Sequence, residues 1–156
     1  MSVSKKPYFP MFMDISEKKI FVVGAGTIAK RRIRALVQFT DGLTVIAPEV
    51  NPELNEMEKN GQIRILRKKY ESSDISGADL VIAAANDHKT NEDVYQVCRE
   101  QGILVNVCSD KTKCDFYFPG LAVKDDVVAG VTANGSNHKK AKMVVEKIEE
   151  ILKECW

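Results

Sequence analysis

The run Ile20-Phe21-Val22-Val23-Gly24-Ala25-Gly26-Thr27-Ile28-Ala29 decides how the rest of the chain is read. Its first four residues are β-branched or aromatic and read as a buried strand. Two glycines follow at a spacing of two, with a small residue three further on, the G-x-G-x-x-G/A pattern at a strand-to-helix turn. Gly24 permits the tight turn, Gly26 lets the backbone approach a pyrophosphate, and Ala29 lets the helix pack closely on the strand. A diphosphate then sits on the free N–H groups and positive end of that helix. Gly24, Ala25, Gly26, Thr27, Ile28 and Ala29 are accordingly the first predicted cofactor-binding residues. A purely structural glycine turn is the alternative.

Working outward, a first helix is expected from Thr27 to about Phe39, its apolar positions Ala29, Ile33, Leu36 and Val37 falling on one face. Leu43–Ala47 reads as the second strand, closed by Pro48. An acidic residue at this strand's end binds the ribose hydroxyls in a unit that takes NAD. Glu49 is the candidate, and with no basic residue at 47–50 to meet a 2′-phosphate the pattern favours NAD over NADP. Alternatively, Glu49 simply favours the dipole of a helix at about 51–60.

Gln62–Leu66 reads as the third strand and Arg67-Lys68-Lys69-Tyr70 as a solvated face. Before it, Met11–Ile15 is an edge strand or lead-in. Asp79–Ala85 is a strand buried on both faces. It ends in small residues, so Ala85 and Asn86, like Pro48 and Glu49, are placed at the cofactor. A helix is expected from Thr90 to Glu100, with Thr90 and Asp93 as a capping box, and His88 is a surface histidine. Gly102–Val107 is the fifth strand. After a polar loop, Phe116–Pro119 and Val127–Thr132 read as two strands about the turn 124–126. A last helix follows, with Ala141, Val144, Val145, Ile148 and Leu152 as its apolar side. The fold class is α/β, a Rossmann-type parallel sheet with a small C-terminal strand-and-helix extension. Residues 1–113 form the NAD-binding domain and 114–156 a dimerisation or substrate region.

The 156 residues are 44% hydrophobic and 29% charged, which suits one globular domain with a small appendage. A net charge of +1 argues against nucleic acid or an anionic membrane as partner. No apolar run approaches the ~18–20 residues of a membrane span. The N-terminus has no apolar signal core, and four cysteines lie scattered without a CxxC pair, so a cytoplasmic, reduced protein is expected.

Taken together, the segments resemble the N-terminal module of siroheme synthases, the precorrin-2 dehydrogenase and sirohydrochlorin ferrochelatase family. Pro10-Met11-Phe12 followed by Ile20–Arg32 matches its opening, and Asp79–Asp87 its fourth strand. Val105-Asn106-Val107 with Cys114-Asp115-Phe116-Tyr117-Phe118-Pro119 resembles its Asn-Val…Phe-x-x-Pro signature. Val131–Asn137 occupies the place of its Ser-Ser/Thr-x-Gly-x-Ser-Pro turn. The likeness covers about residues 8–153.

The resemblance implies NAD-dependent oxidation of precorrin-2, a tetrapyrrole, to sirohydrochlorin, by a homodimer. The family's general base is an aspartate in the loop after Asn-Val-x. Aligned on Asn106 and Phe116, that position is Ser109, with Asp110 one residue later. A serine hydroxyl needs a partner to act as a base, so Asp110 is the expected catalyst; a solvent-exposed loop aspartate is the alternative. His138, where the family has Ser-Pro, is a second candidate, as proton acceptor or transient metal ligand, against a helix-start histidine with no chemistry. Cys108 and Cys114 read as small core fillers and no metal site is expected. Lys111, Lys113, Lys139 and Lys140 stand where a polycarboxylate substrate needs cations, or are ordinary surface lysines. The family commonly continues past the position of Trp156 with a helical segment, which weighs against chelation more than against hydride transfer. Two other readings stay open: a metal-inserting chelatase, and a regulatory module that binds NAD(H) without turnover.

Overall fold

A computed structural model describes residues 6–155 and divides the chain into two units, one spanning Asp14–Tyr117 and the other the arm up to Met13 with Phe118 onward.

In the larger unit, β1 (Ile20–Val23), β2 (Leu43–Ile46), β3 (Arg64–Leu66), β4 (Leu80–Ala83) and β5 (Leu104–Val107) form a parallel sheet in the order β3-β2-β1-β4-β5. The register sets Val23 beside Ile46 and Ala83, and Val22 beside Val45 and Ile82. Since side chains alternate across a strand, these two rows face opposite sides of the sheet. The Val23 row joins a core with Ile75, Val94, Cys98 and Val105. All four residues of β4 are buried, as a central parallel strand requires. The expected Rossmann-type architecture is therefore present.

Helix α1 (Thr27–Leu36) buries Ala29, Ile33 and Leu36 but stops three residues short of expectation. The Gln38 side chain donates back to the Arg34 carbonyl at 3.3 Å, and the Phe39 N–H turns onto Leu36, so the chain leaves the helix there. Helix α2 (Pro52–Lys59) is capped by Asn51, whose side chain accepts the Glu53 N–H, with proline at the first position where its missing donor costs nothing. Helix α3 (His88–Gln101) starts earlier than expected. Its cap is Asp87, which accepts from the Lys89 and Thr90 N–H groups, so the Thr90–Asp93 box does not form. Gly102, at φ +68°, ends it.

The expected strand over Phe116–Pro119 is absent. Residues 114–116 instead run beside β5: Val105 N–H donates to Asp115 Oδ2 at 3.0 Å, and Asn106 Nδ2 to the Phe116 carbonyl at 2.8 Å. These bonds hold 114–117 in the first unit, so the division falls after residue 117 rather than after 113. Met11–Ile15 forms no strand either.

In the smaller unit, β6 (Gly120–Lys124) and β7 (Val127–Val131) pair antiparallel around Asp125, which takes φ +51°. Helix α4 (His138–Cys155) lays Val145 and Leu152 on this hairpin around Ala122. Val144, expected on the packed side, is exposed. Lys124 Nζ donates to the Leu152 carbonyl at 2.9 Å, a cation at the helix's negative end. In the arm, the Tyr8 N–H meets Asn134 Oδ1 at 3.2 Å, while Phe9, Met11 and Phe12 are exposed.

Candidate active site

At the carboxyl ends of β1, β2 and β4 a groove of about 690 Å3 opens. Gly24, Ala25, Gly26, Thr27, Pro48, Glu49, Ala85 and Asn86 all line it. Eight of the ten predicted cofactor residues thus converge on one cleft, because open parallel sheets leave a crevice where strand ends meet helix starts. Ile28 and Ala29 do not line it. Ile28 is half exposed, and Ala29 is fully buried on the packed face of α1.

The two glycines serve different ends. Gly24 has φ +115°, and a Cβ there would lie 2.3 Å from the Ala84 carbonyl oxygen, so the fold itself demands glycine. A Cβ at Gly26 would meet nothing nearer than Asn86 Oδ1 at 3.7 Å. No protein atom needs glycine at 26, and what its bareness preserves is open space before the helix. Gly26 caps α1 without a side-chain hydrogen bond, and the first turn carries no acid. Its N–H groups and dipole are thereby left for an external anion, and the residues fit a dinucleotide diphosphate.

Ala85 is fixed from α3. Asn91, 3% exposed, accepts the Ala85 N–H and donates to the Ala85 carbonyl. On the other flank Lys30 bonds Glu53 Oε1 at 2.8 Å, and Arg34 also pairs with Glu53, joining α1 to α2 beside the groove. Those cations hold the Glu53 carboxyl below its usual range. Lys69, Tyr70, Asn51 and Thr90 also line the groove and were not anticipated from sequence. The signal was present: β3 ends at Leu66, so Lys69 and Tyr70 follow a strand's carboxyl end, as Glu49 does. Burial pushes the Tyr70 phenol up to about 12 and keeps it a neutral donor.

The loop after β5 holds Ser109 and Asp110. Ser109 is exposed. Asp110 caps a single 3-10 turn, Lys111–Lys113, its Oδ1 accepting from Thr112 Oγ1 at 2.7 Å and Thr112 N–H at 3.0 Å. These bonds, the hydroxyl first, hold its carboxyl below the usual value. Cys114 is stitched to the same loop, its Sγ accepting the Val107 N–H at 3.3 Å. Lys113 pairs with Glu92 and stacks over the Tyr95 ring at 5.4 Å from its centre, so its charge is already engaged. Lys111 forms no ion pair among the described residues. In the smaller unit, exposed His138 opens α4 just after Asn137, whose Oδ1 accepts the Lys140 N–H at 2.9 Å. Lys139 and Lys140 are exposed there. No group of three or more His, Cys, Asp or Glu is placed to hold a metal ion among the described residues, and no described helix is long and apolar enough to cross a membrane.

Residues 11–120 match the family model described as "Putative NAD(P)-binding". Of the curated relatives, the "Probable multifunctional siroheme biosynthesis protein HemA" of Ruminiclostridium josui is 42% identical over 144 residues, 92% of this chain and 28% of that protein. The siroheme synthase of Mannheimia succiniciproducens is 32% identical over 145 residues, 93% of this chain and 30% of that protein. The chain therefore spans about three tenths of the length of these relatives. Among solved structures, "SirC, precorrin-2 dehydrogenase" superposes with a TM-score of 0.82 at 29% identity, over 92% of this chain and 70% of that one. With the bare Gly26 groove and this match, the chain belongs to the "Putative NAD(P)-binding" family, as the module it shares with siroheme synthases.

Proposed function

We propose that this chain is a dehydrogenase of siroheme biosynthesis that oxidises precorrin-2 to sirohydrochlorin with NAD. The observation that carries it is the groove itself, with an uncapped helix start behind Gly26, in a chain that superposes on a precorrin-2 dehydrogenase. The chemistry supplied by bound NAD is acceptance of a hydride, and one proton leaves the macrocycle with it. The Gly24 N–H already donates to the Ile46 carbonyl. The unpaired N–H groups at the start of α1, behind Gly26, therefore meet the diphosphate, Glu49 accepts hydrogen bonds from the ribose hydroxyls, and Ala85 and Asn86 bound the space in front.

Asp110 is the proposed proton acceptor. Its lowered pKa leaves it ionised throughout the neutral range, so it is in the basic form. The same lowering makes it a weak base, so its role leans on position beside the macrocycle rather than on proton affinity. Ser109 is proposed as the polar group next to it in the loop, and His138, in the smaller unit, as the second candidate proton acceptor. The exposed apolar residues Met143, Val144 and Ile151 of α4 are proposed to pack in a homodimer.

The test is anaerobic absorbance at the NADH band after mixing the chain with precorrin-2 and NAD, no metal being added. NADH rising together with the sirohydrochlorin spectrum is expected. Confirmed NAD binding with no NADH formed would overturn the proposal and turn attention to a regulatory module or a chelatase.

A further inference from the structure

We propose that Lys69 is a specificity-determining residue of the groove, offering its ammonium to a phosphate on the 2′-oxygen of the adenosine ribose, so that the site admits NADP as well as NAD. The inference rests on the dinucleotide reading of the groove.

Three cations follow β3 in succession, and the structure treats them differently. Arg67 bonds Glu58 Oε2 at 2.6 Å and Asn55 Oδ1 at 2.9 Å. Lys68 pairs with Asp74 at 2.9 Å and Glu71 at 3.4 Å. Lys69 has neither an ion pair nor a side-chain hydrogen bond among the described residues, and it lines the groove. The next residue, Tyr70, is packed against the core, which holds the Lys69 backbone at the rim.

Position narrows the ligand atom. The diphosphate belongs at the β1–α1 turn. In the sheet order β2 stands next to β1 and β3 lies beyond it, so Lys69 follows a strand one further out than the Pro48–Asn51 segment, where the ribose is read. Glu49 in that segment is likewise in no ion pair among the described residues. The groove thus holds two opposite charges that do not neutralise each other. A carboxylate alone favours the ribose diol and repels a 2′-phosphate. An ammonium on a flexible stem adds a point charge that reaches a phosphate without disturbing the diol's acceptor.

Fluorescence titration of the full chain with NADH and with NADPH, at low ionic strength, tests this in wild type, Lys69→Ala, Glu49→Gln and, as a control for net charge, Lys59→Ala on α2. Wild type should bind both cofactors within about tenfold of each other. Lys69→Ala should weaken NADPH by about tenfold and NADH by less than about twofold, as loss of one charge-assisted phosphate contact implies. Glu49→Gln should tighten NADPH relative to NADH, and Lys59→Ala should alter neither. Equal weakening of both cofactors in Lys69→Ala, no change in either, or a wild type that binds NADH alone would each overturn the proposal. A wild type that binds neither dinucleotide would refute the groove's reading itself, a separate result.

Discussion

Asn91 holds Ala85 by both of its backbone polar groups, Oδ1 accepting the N–H and Nδ2 donating to the carbonyl, each at 2.9 Å. One buried side chain on α3 therefore sets the path of the chain leaving β4. That path forms the wall against which Gly24 is pressed, since a Cβ on Gly24 would strike Ala84 O and then the Ala85 nitrogen. The groove's shape rests on a residue that does not line it.

Asn91→Leu removes both partners and leaves two backbone groups unpaired beside the core. A loss of about 2–4 kcal/mol is expected from chemical denaturation, on the cost of orphaned buried polar groups. Weaker NADH binding should accompany it. Full stability in this variant would show that water satisfies Ala85 instead.

Gly24→Ala and Gly26→Ala should separate stability from binding. The first puts a Cβ into backbone at a positive φ and should cost at least about 3 kcal/mol or prevent folding. The second meets only Asn86 at 3.7 Å and should keep stability within about 1 kcal/mol. Its NADH affinity should nevertheless fall tenfold or more, by about the cost of displacing a diphosphate from its N–H groups. Gly26→Asp, which adds a negative charge, should abolish binding. Unchanged affinity in either Gly26 variant, measured by fluorescence, would place the diphosphate elsewhere.

Asp110→Asn keeps an acceptor oxygen for Thr112 but loses the charge. Turnover should drop by about a hundredfold or more if the carboxylate takes the proton, while NADH binding, in a groove Asp110 does not line, stays as in wild type. Turnover that survives the substitution would assign the proton to another group.

Acid should destabilise the larger unit through Asp79. Its carboxylate accepts the Lys19 N–H at 2.8 Å and lies 3.6 Å from Lys18, and the backbone bond above all holds its pKa below 3.8. A folded pKa below the unfolded one adds stability that is fully present above the unfolded value and disappears as pH falls through the folded one. Unfolding midpoints should therefore decline below about pH 4. In Asp79→Asn the decline should be shallower, and an identical slope would remove Asp79 from the account.

The four thiols should label in order of access. Cys155 is exposed, whereas Cys98 is buried, and burial pushes its thiol up to about 12. Iodoacetamide at neutral pH, followed by mass spectrometry, should modify Cys155 first and Cys98 only on unfolding. Early labelling of Cys98 would mean that α3 opens readily.

Every strand of the parallel sheet could be located from the chain alone, because a strand buried on both faces needs an unbroken apolar run and Ile20–Val23 and Leu80–Ala83 have one. The glycine turn was legible for a similar reason: backbone geometry at Gly24 is local, and few residues satisfy it. Helix limits were less legible, since Gln38 and Asp87 decide them through side-chain bonds that compete with other local options. What tertiary structure alone decided are the relationships between strand ends. Lys69 and Glu49 come to one groove because parallel pairing aligns the carboxyl ends of β3 and β2, though 20 residues separate them in the chain. Asn91 meets Ala85, and Asn106 meets Phe116, because a buried amide must be satisfied and only the folded chain supplies its partner. Composition and periodicity carry the apolar pattern that drives burial. The choice of which polar groups share a site belongs to the packing that follows.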